Sequence, residues 1–361
     1  MSSPLHRHQA SLEDLLDFSA EPPIFPSDAA RDHALHLFTH VLDQLDASQN
    51  ELLSTPFRRI EMIRSMHRHS QTQPSKDLIL QSFFSSIDVD ILPTTNEVDM
   101  GSVAAKVVAF TDFLFANFFL PSDAVLPGSG HRLKALRRDC LIRDRHRCVV
   151  TRKFDRNEAR KRYERDGENA EDDDGHILTQ DNMQQFANLE VAHILPHSLM
   201  THEGSSDMIQ ARKNALAILD MFDVGIRHLI EGLNIDRPTN ALTLTQEVHN
   251  EFGRFKLYFE PLVDAPQHTY RIQSTEPIFS PVAPVVRTLF LSENRTTDAP
   301  LPRLLAIHAA VTKVLHMCGA GAYSENILRD TEELVIEEDG TTNLGKLVAL
   351  RMGGWWNGVV V

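Results

Sequence analysis

Three polar residues, His193, Asn240 and His249, could together carry out acid–base and metal chemistry. His193 lies in LEVAHILPH (residues 189–197), and the other two lie in NALTLTQEVHNEF (residues 240–252). An imidazole can accept a proton from water near neutral pH, because its pKa lies close to neutrality. Imidazole nitrogens and amide oxygens can also bind divalent cations. Such a set has the groups that phosphodiester hydrolysis needs, a base for water and a cation for the developing charge.

Two short strands are predicted to position the first two of these residues. Residues 190–194 alternate loosely between apolar and polar types before Pro196 stops the pattern. Residues 241–245 predict a second strand, with threonines on one face and leucines on the other. His193 is therefore expected at the end of one strand, and Asn240 at the start of the other.

A helix is predicted to carry the third residue. Thr245 can cap this helix, and Val248 and Phe252, four residues apart, give it an apolar face. The short separation between Asn240 and His249 fits a strand followed by one helical turn. The longer separation between the first two polar residues leaves room for an insertion.

The order His, Asn, His on strand, strand and helix resembles the HNH endonuclease family, in the variant whose first element reads AHI(I/L)P. The match, which includes FKLYFEP at residues 255–261, is similar to HNH-type proteins common in fungal genomes. The resemblance implies an α+β fold with a ββα-metal (HNH) core and one bound divalent metal ion, Mg²⁺ or another divalent cation. It also implies that His193 is the general base, that Asn240 fixes the active-site loop and supports base or metal, and that His249 binds the metal.

Two positions depart from the family pattern. The residue before the base, often an Asp or His that binds metal, is Ala192, and the position one turn after the last His is Gly253. Glu190 is a candidate substitute, because it shares the strand face of Ala192 and has a longer reach. A salt bridge is the alternative role for Glu190. The predicted metal ligands are therefore His249, Asn240 and Glu190.

The start of the domain also follows the family. RD..RCVVT at residues 143–151 resembles its usual beginning, although a glycine normally follows the threonine and Arg152 stands there instead. Residues 147–151 predict a short strand, and residues 131–145 predict a basic helix.

Charge is unevenly distributed along the chain. The formal net charge of −14 is unusual for a protein that binds phosphates, but Lys and Arg are concentrated in residues 131–165, beside the motif. Nucleic acid, with DNA the expected kind, is predicted to contact five arginines of this stretch, Arg137, Arg138, Arg143, Arg145 and Arg147. The following acidic run is predicted to belong to a solvated insertion loop at residues 155–175. A second interpretation is that the acidic run competes with nucleic acid for the basic helix.

Four regions are predicted along the chain, with helical regions flanking the HNH core. They are a disordered N-terminus (1–26), a helical region (27–130), the HNH nuclease domain (131–262) and a hairpin and helical C-terminal region (263–361). The first boundary follows from Ser27 as a helix cap, and the second from the linker Pro-Gly-Ser-Gly at residues 127–130.

Composition narrows the class of protein. A content of 42% hydrophobic and 24% charged residues is ordinary for a soluble globular protein. No membrane span is expected, although residues 101–119 approach that limit before Lys106 and Asp112 interrupt them. The first residues contain no apolar signal-peptide core, so secretion is not expected. Three cysteines without a CxxC pair favour a reducing compartment, cytoplasm or nucleus, and argue against a cysteine-based zinc site.

Two functions remain open from the sequence. The first is a metal-dependent HNH endonuclease in which His193, Asn240 and His249 meet around one cation-sized gap. The alternative is a non-catalytic nucleic-acid-binding or interaction module on a degenerate HNH scaffold. The missing acidic ligand and the net acidity favour the alternative, and the intact His-Asn-His set favours the nuclease. A purely structural domain would differ from both by having no affinity for nucleic acid.

Overall fold

The computed structural model describes residues 24–91, 100–119, 130–180, 183–196, 206–278, 280, 282–291 and 296–335. Its helices are α1 (Asp28–Ala47), α2 (Glu51–Ser54), α3 (Arg59–His69), α4 (Gln73–Ile87), α5 (Met100–Leu114, continued by a π-helical turn Phe115–Phe119), α6 (Gly130–Arg143), α7 (Arg156–Asp166), α8 (Ser206–Asp220), α9 (Arg227–Ile230), α10 (Gln246–Gly253), α11 (Pro302–Cys318) and α12 (Ala320–Val335). Its strands are β1 (Phe154–Asp155), β2 (Phe186–Ala187), β3 (Leu189–His193), β4 (Ala241–Thr245), β5 (Leu257–Pro261), β6 (Thr269–Ser274) and β7 (Val285–Thr288). Helices together with small sheets confirm the predicted α+β class.

The chain divides into two compact units, and each is discontinuous in sequence. The first, called here the motif unit, includes Leu126–Met200 and Gly225–Thr312. The second, the helical unit, includes Pro22–Val125, Thr201–Val224 and the chain from Lys313 onwards. These bounds differ from the predicted domains, because residues 201–224 leave the motif unit and because one sheet, β5 to β7, continues past residue 262. Residues 1–23 and the predicted linker residues 127–129 lie outside the described residues.

The helical unit is built around an apolar core. Ser27 caps α1 by accepting a hydrogen bond from the backbone N–H of Ala30, as its sequence position predicts. Met100–Phe119 is long and apolar enough to cross a membrane, and so is the bent pair Pro302–Cys318 and Ala320–Ile327. A buried helix in the core of a soluble protein can have the same length and composition. Val103, Ala104 and Val107 of α5 pack in the main apolar cluster, which supports its interpretation as a buried helix.

In the motif unit, an antiparallel pair of strands leads directly into a helix. Leu189 of β3 lies opposite Thr245 of β4, and His193 lies opposite Ala241. The side chain of Thr245 accepts from the backbone N–H of Val248 and so caps α10. All five residues of β4 are buried, as are Val248 and Phe252 on α10. The predicted strand, strand and helix are thus confirmed, with bounds within one or two residues.

A three-stranded antiparallel sheet follows in the same unit. The predicted hairpin is present as β5 and β6, with Phe259 opposite Ile272. The third strand, β7, was not predicted from the sequence. It pairs with β6, and Ile272 lies opposite Val285.

The acidic insertion is a folded element, so the predicted solvated loop at residues 155–175 is wrong. Asp155 caps α7 by accepting from the backbone N–H of Glu158 at 2.9 Å. Within α7 the guanidinium of Arg162 lies 3.1 Å from Glu158, and its Nη2 donates to Asp173 at 2.8 Å. The opposite charges therefore stabilise a local structure rather than keep the segment in solvent. The side chain of Asp172 is almost fully buried.

Candidate functional site

His193, at the end of β3, is paired with a buried carboxylate that the sequence did not indicate. Its Nε2 lies 3.2 Å from Oδ1 of Asp236, and the two side chains are 17% and 3% exposed. Asp236 ends a 3₁₀ helix, Gly232–Asp236, in the excursion between the strands. If Nε2 carries the proton donated to the carboxylate, the lone pair lies on Nδ1, which is the form of imidazole that accepts a proton. The pair therefore orients the ring and selects its tautomer.

Asn240 connects the segment after His193 to the segment that carries Asp236. Its Oδ1 accepts from the backbone N–H of Leu195 at 2.9 Å, and its Nδ2 donates to the carbonyls of Leu195 and Ile235 at 2.9 and 3.0 Å. The side chain is fully buried. This supports the predicted role in fixing the loop. The predicted role as metal ligand is contradicted, because the buried amide oxygen faces the backbone of Leu195.

Glu190 and His249 are in direct contact. Oε2 of Glu190 lies 2.6 Å from Nδ1 of His249, and the two side chains are 42% and 37% exposed. Strand β3 presents Glu190, and the cap of Thr245 sets the first turn of the helix that carries His249. The structure thus brings together two of the three predicted ligands and places both at the surface of the unit. The contact is compatible with either of the roles considered for Glu190.

The polar residues form two contacting pairs, His193 with Asp236 and Glu190 with His249. Glu190 lies within β3, and His193 is the last residue of that strand. Among the described residues, no group of three or more His, Cys, Asp or Glu side chains could hold a metal ion. Convergence of His193 and His249 on a single cation-sized space stays a prediction, and the amide oxygen of Asn240 is buried against the backbone of Leu195.

By donor type, Glu190 and His249 fit a divalent ion as a two-residue site completed by water. Ligand bonds of about 2.1 Å at a right angle place two donor atoms about 3 Å apart. The present separation of 2.6 Å is shorter, so the two side chains would have to part slightly to admit an ion. A set of one imidazole and one carboxylate does not by itself select Mg²⁺ over softer divalent ions.

Arg143 is not available to nucleic acid, and the prediction for this residue is wrong. Its side chain is completely buried and forms a bidentate ion pair with Asp144, with both nitrogen–oxygen distances at 2.8 Å. It also donates to the carbonyls of Pro238 at 2.7 Å and Ala241 at 2.9 Å. Arg143 therefore holds the backbone on both sides of Asn240. Its charge stabilises the fold of the site.

The other four predicted arginines differ in their surroundings. Arg145 and Arg147 form ion pairs with Asp174 and Asp172 of the folded insertion. Arg137 and Arg138 on α6 keep 40% and 69% of their side chains exposed. Arg138 is paired with its neighbour Asp139 at 2.9 Å, and Arg137 lies 4.0 Å from Asp155. A role in binding nucleic acid stays a prediction for these four residues.

Comparison with known proteins identifies a family for the segment that contains these residues. Residues 148–260 match the family model described as HNH endonuclease. The matched segment contains β3, β4 and α10, and with them His193, Asn240 and His249. No curated protein and no solved structure matches the chain. The chain therefore contains an HNH-family domain, as the resemblance predicted, and that family indicates a nuclease-type function.

Proposed function

We propose that the HNH domain is a metal-dependent endonuclease that hydrolyses phosphodiester bonds in nucleic acid, DNA being the expected substrate. The observation that carries the proposal is the contact between His193 and Asp236, because it equips a partly exposed imidazole as a base. In this proposal β3, β4 and α10 form the ββα-metal core.

His193 acts as the general base and removes a proton from the attacking water. General-base catalysis by a positioned side chain contributes roughly 10²- to 10⁴-fold in rate. The carboxylate of Asp236 keeps the Nε2 proton directed away from the water, so that Nδ1 receives the proton. Asp236 is a positioning residue in this scheme, since it acts through the imidazole.

Asn240 and Arg143 keep the base in place. The amide of Asn240 fixes the carbonyl and N–H of Leu195, two residues after the base, and the carbonyl of Ile235, beside Asp236. Arg143 fixes the carbonyls that flank Asn240. Both members of the His193–Asp236 pair therefore depend on one buried amide for their relative position.

Glu190 and His249 would hold the divalent ion, Mg²⁺ or another divalent cation. The ion would stabilise the negative charge that develops on the phosphate and on the leaving oxygen. Both side chains are partly exposed, which leaves room for water and for the substrate as further ligands. A site with only two protein ligands is expected to bind the ion weakly.

Exposed Arg137 and Arg138 on α6 are the first candidates for phosphate contacts, since phosphate binding needs accessible cations. Arg145 and Arg147 would have to exchange their carboxylate partners for phosphates.

We also propose that the protein resides in a reducing intracellular compartment. Its three buried free cysteines, Cys140, Cys148 and Cys318, support this location.

A second candidate function is a non-catalytic nucleic-acid-binding or interaction module on the same scaffold. It is favoured by the 2.6 Å contact between Glu190 and His249, which satisfies both groups without a metal. It is also favoured by the pairing of Arg145 and Arg147 with acidic residues.

A plasmid-nicking assay with Mg²⁺, Mn²⁺ or EDTA separates the two candidates. Wild-type chain is compared with His193→Ala and with His228→Ala, which removes an exposed histidine of the same unit. We expect nicking that requires the metal, is lost in His193→Ala and persists in His228→Ala. Metal-dependent nicking that survives His193→Ala would refute the role of His193. Salt-dependent binding of DNA without nicking would instead establish the second function.

A further inference from the structure

The turn that follows α6 holds an arginine in an unusual backbone conformation. The predicted strand at residues 147–151 is absent. Cys148 and Lys153 close a turn instead, with the N–H of Cys148 donating to the carbonyl of Lys153 at 2.9 Å. Arg152 in this turn has φ = +65°, in the left-handed region that side chains other than glycine rarely adopt. Such strain persists where the surrounding contacts enforce it, and it is common at ligand-binding positions.

Two guanidinium groups lie together beside this turn. The guanidinium of Arg152 sits 4.2 Å from the centre of the Phe290 ring, and its Nη2 donates to the carbonyl of Thr288. Arg287 on β7 donates from Nε to the carbonyl of Val150 at 2.7 Å. The turn and the third strand of the sheet thus each contribute one arginine that bonds to the backbone of the other.

These two arginines differ from their neighbours in their charge balance. Arg143, Arg145 and Arg147 each form an ion pair with an aspartate. Among the described residues, Arg152 and Arg287 bond only to backbone carbonyls. The Nη1 atom of Arg152 is buried and has no hydrogen-bond partner among the described residues.

The arrangement favours an anion. Burial, and after it the charge of Arg287, lowers the pKa of the Arg152 guanidinium to about 10. Two cations that repel each other and an unpartnered buried N–H both raise the free energy of the folded chain. A phosphate relieves the repulsion between the two guanidinium groups, because such groups bind its oxygens through paired, charge-assisted hydrogen bonds. Both arginines are partly exposed, so a phosphate can reach them.

We propose that Arg152, which lies over the ring of Phe290, and Arg287 together bind a phosphate group of the nucleic-acid backbone. The inference rests on the proposed function in taking nucleic acid as the ligand, and it adds a contact that lies outside α6. A purely structural role, with Arg152 tying the turn to β7, predicts a change in stability without any change in the salt dependence of binding.

Binding of a fluorescein-labelled DNA duplex to the full chain tests the proposal. Fluorescence anisotropy is measured in EDTA over a series of salt concentrations, so that no cleavage occurs. The variants are Arg152→Gly, which suits the φ of +65°, and Arg287→Gln. The control is Arg165→Gln, which removes an exposed cation from α7 in the same unit. Thermal unfolding of each variant confirms that it is folded.

We expect Arg152→Gly and Arg287→Gln each to weaken binding several-fold. Each should also reduce the slope of log K against log salt by about 0.9, the value for one lost phosphate contact on duplex DNA. Arg165→Gln should retain the wild-type slope. Folded variants at Arg152 and Arg287 that keep the wild-type affinity and slope would overturn the proposal. Equal competition by polyglutamate of the same charge would also overturn it, in favour of an acidic protein partner.

The same samples distinguish this proposal from the catalytic one. A chain that nicks plasmid with Mg²⁺ or Mn²⁺ while Arg152→Gly binds normally refutes the phosphate site alone. A chain whose binding depends on Arg152 but which never nicks supports the phosphate site and refutes catalysis alone.

Discussion

At the scale of single residues, substitution of Asp236 is the most direct test of the proposed site. Replacing it by Asn removes the charge but keeps the shape, so the imidazole of His193 is free to place its proton on either nitrogen. A positioned general base contributes roughly 10²- to 10⁴-fold in rate, and an Asp-to-Asn change at its partner can remove most of that. We therefore expect Asp236→Asn to lower the single-turnover nicking rate by about 10²-fold or more, with DNA affinity in EDTA unchanged. Asp166→Asn, at the exposed end of α7, serves as the control. Wild-type nicking by Asp236→Asn would show that the contact does not matter for the reaction.

Asn240 should be a determinant of stability as well as of activity. Its removal leaves the N–H and carbonyl of Leu195 and the carbonyl of Ile235 without partners in the interior. Each unsatisfied buried group costs about 1–3 kcal/mol, so we expect Asn240→Ala to lower the free energy of unfolding by roughly 2–4 kcal/mol. Urea denaturation measures the change. Asn250→Ala, at an exposed position of α10, should remain within about 0.5 kcal/mol of wild type. A loss of the same small size in Asn240→Ala would mean that the amide is not needed for folding.

Sequence could predict the residues of the site that belong to a local pattern, but not their partners. His193 ends β3, Asn240 immediately precedes β4 and His249 lies within α10, and hydrophobic period and capping predict these three elements. Glu190 was found from strand alternation. Asp236 was missed because it meets His193 only through the fold, from a part of the excursion that has no distinctive pattern. The expected role of Arg143 failed because sequence reasoning treats a charged residue as solvated, whereas this one is buried with its partner.

At the scale of elements, a histidine of α11 links that helix to α10. The ring of His308 stacks on Phe252 at 3.8 Å and on Phe255 at 4.9 Å, and its Nε2 donates to the carbonyl of Phe252 at 3.1 Å. Burial lowers the pKa of His308 to about 3. The ring is therefore neutral in the folded chain at pH values where an unfolded histidine is already protonated. Above a pH of about 6.5 His308 is neutral in both the folded and the unfolded chain, so it adds no pH dependence to the free energy of unfolding.

Acid should destabilise the motif unit through His308. Below a pH of about 6.5 the unfolded chain binds one more proton than the folded chain, so stability falls by up to about 1.4 kcal/mol per pH unit until the pH reaches about 3. Between pH 7.5 and pH 5.0 we expect His308→Phe to lose about 2 kcal/mol less free energy of unfolding than wild type does. Urea titrations at the two pH values measure this difference, with His316→Phe, at an exposed position of α11, as control. Identical losses in wild type and His308→Phe would contradict the prediction.

Helices and strands with an apolar period were predictable, and charged or very short ones were not. Strands β3 and β4 and helix α10 follow from alternation and from the cap at Thr245. Helix α7 was missed because its sequence, RNEARKRYERD, has almost no apolar face and is held by ion pairs with a later segment. Strand β7 was missed because it has four residues, half of them exposed, after a proline-rich connection.

At the scale of the whole molecule, metal binding should appear as a gain in stability. An ion that binds only the folded chain raises the free energy of unfolding by about 2.7 kcal/mol at a concentration of one hundred times its Kd. We expect millimolar Mn²⁺ to raise the unfolding temperature of wild-type chain and not that of Glu190→Gln, which loses one of the two proposed ligands. Differential scanning fluorimetry with and without EDTA makes the measurement. Glu247→Gln, at an exposed position of α10, is the control, and an equal shift in wild type and Glu190→Gln would remove Glu190 from the metal site.

The division of the chain into two discontinuous units also sets the order in which the site can form during synthesis. His193 leaves the ribosome before the excursion through residues 201–224, and Asn240 and His249 leave after it. Strand β3 cannot acquire its partner β4 until that loop has closed, at an entropic cost that grows only slowly with loop length. A nascent or prematurely terminated chain that ends within residues 201–224 therefore has the imidazole of His193 but lacks both its partner Asp236 and the amide of Asn240 that fixes the loop. Under the proposed mechanism such a fragment is inert, and activity appears only once translation has passed α10.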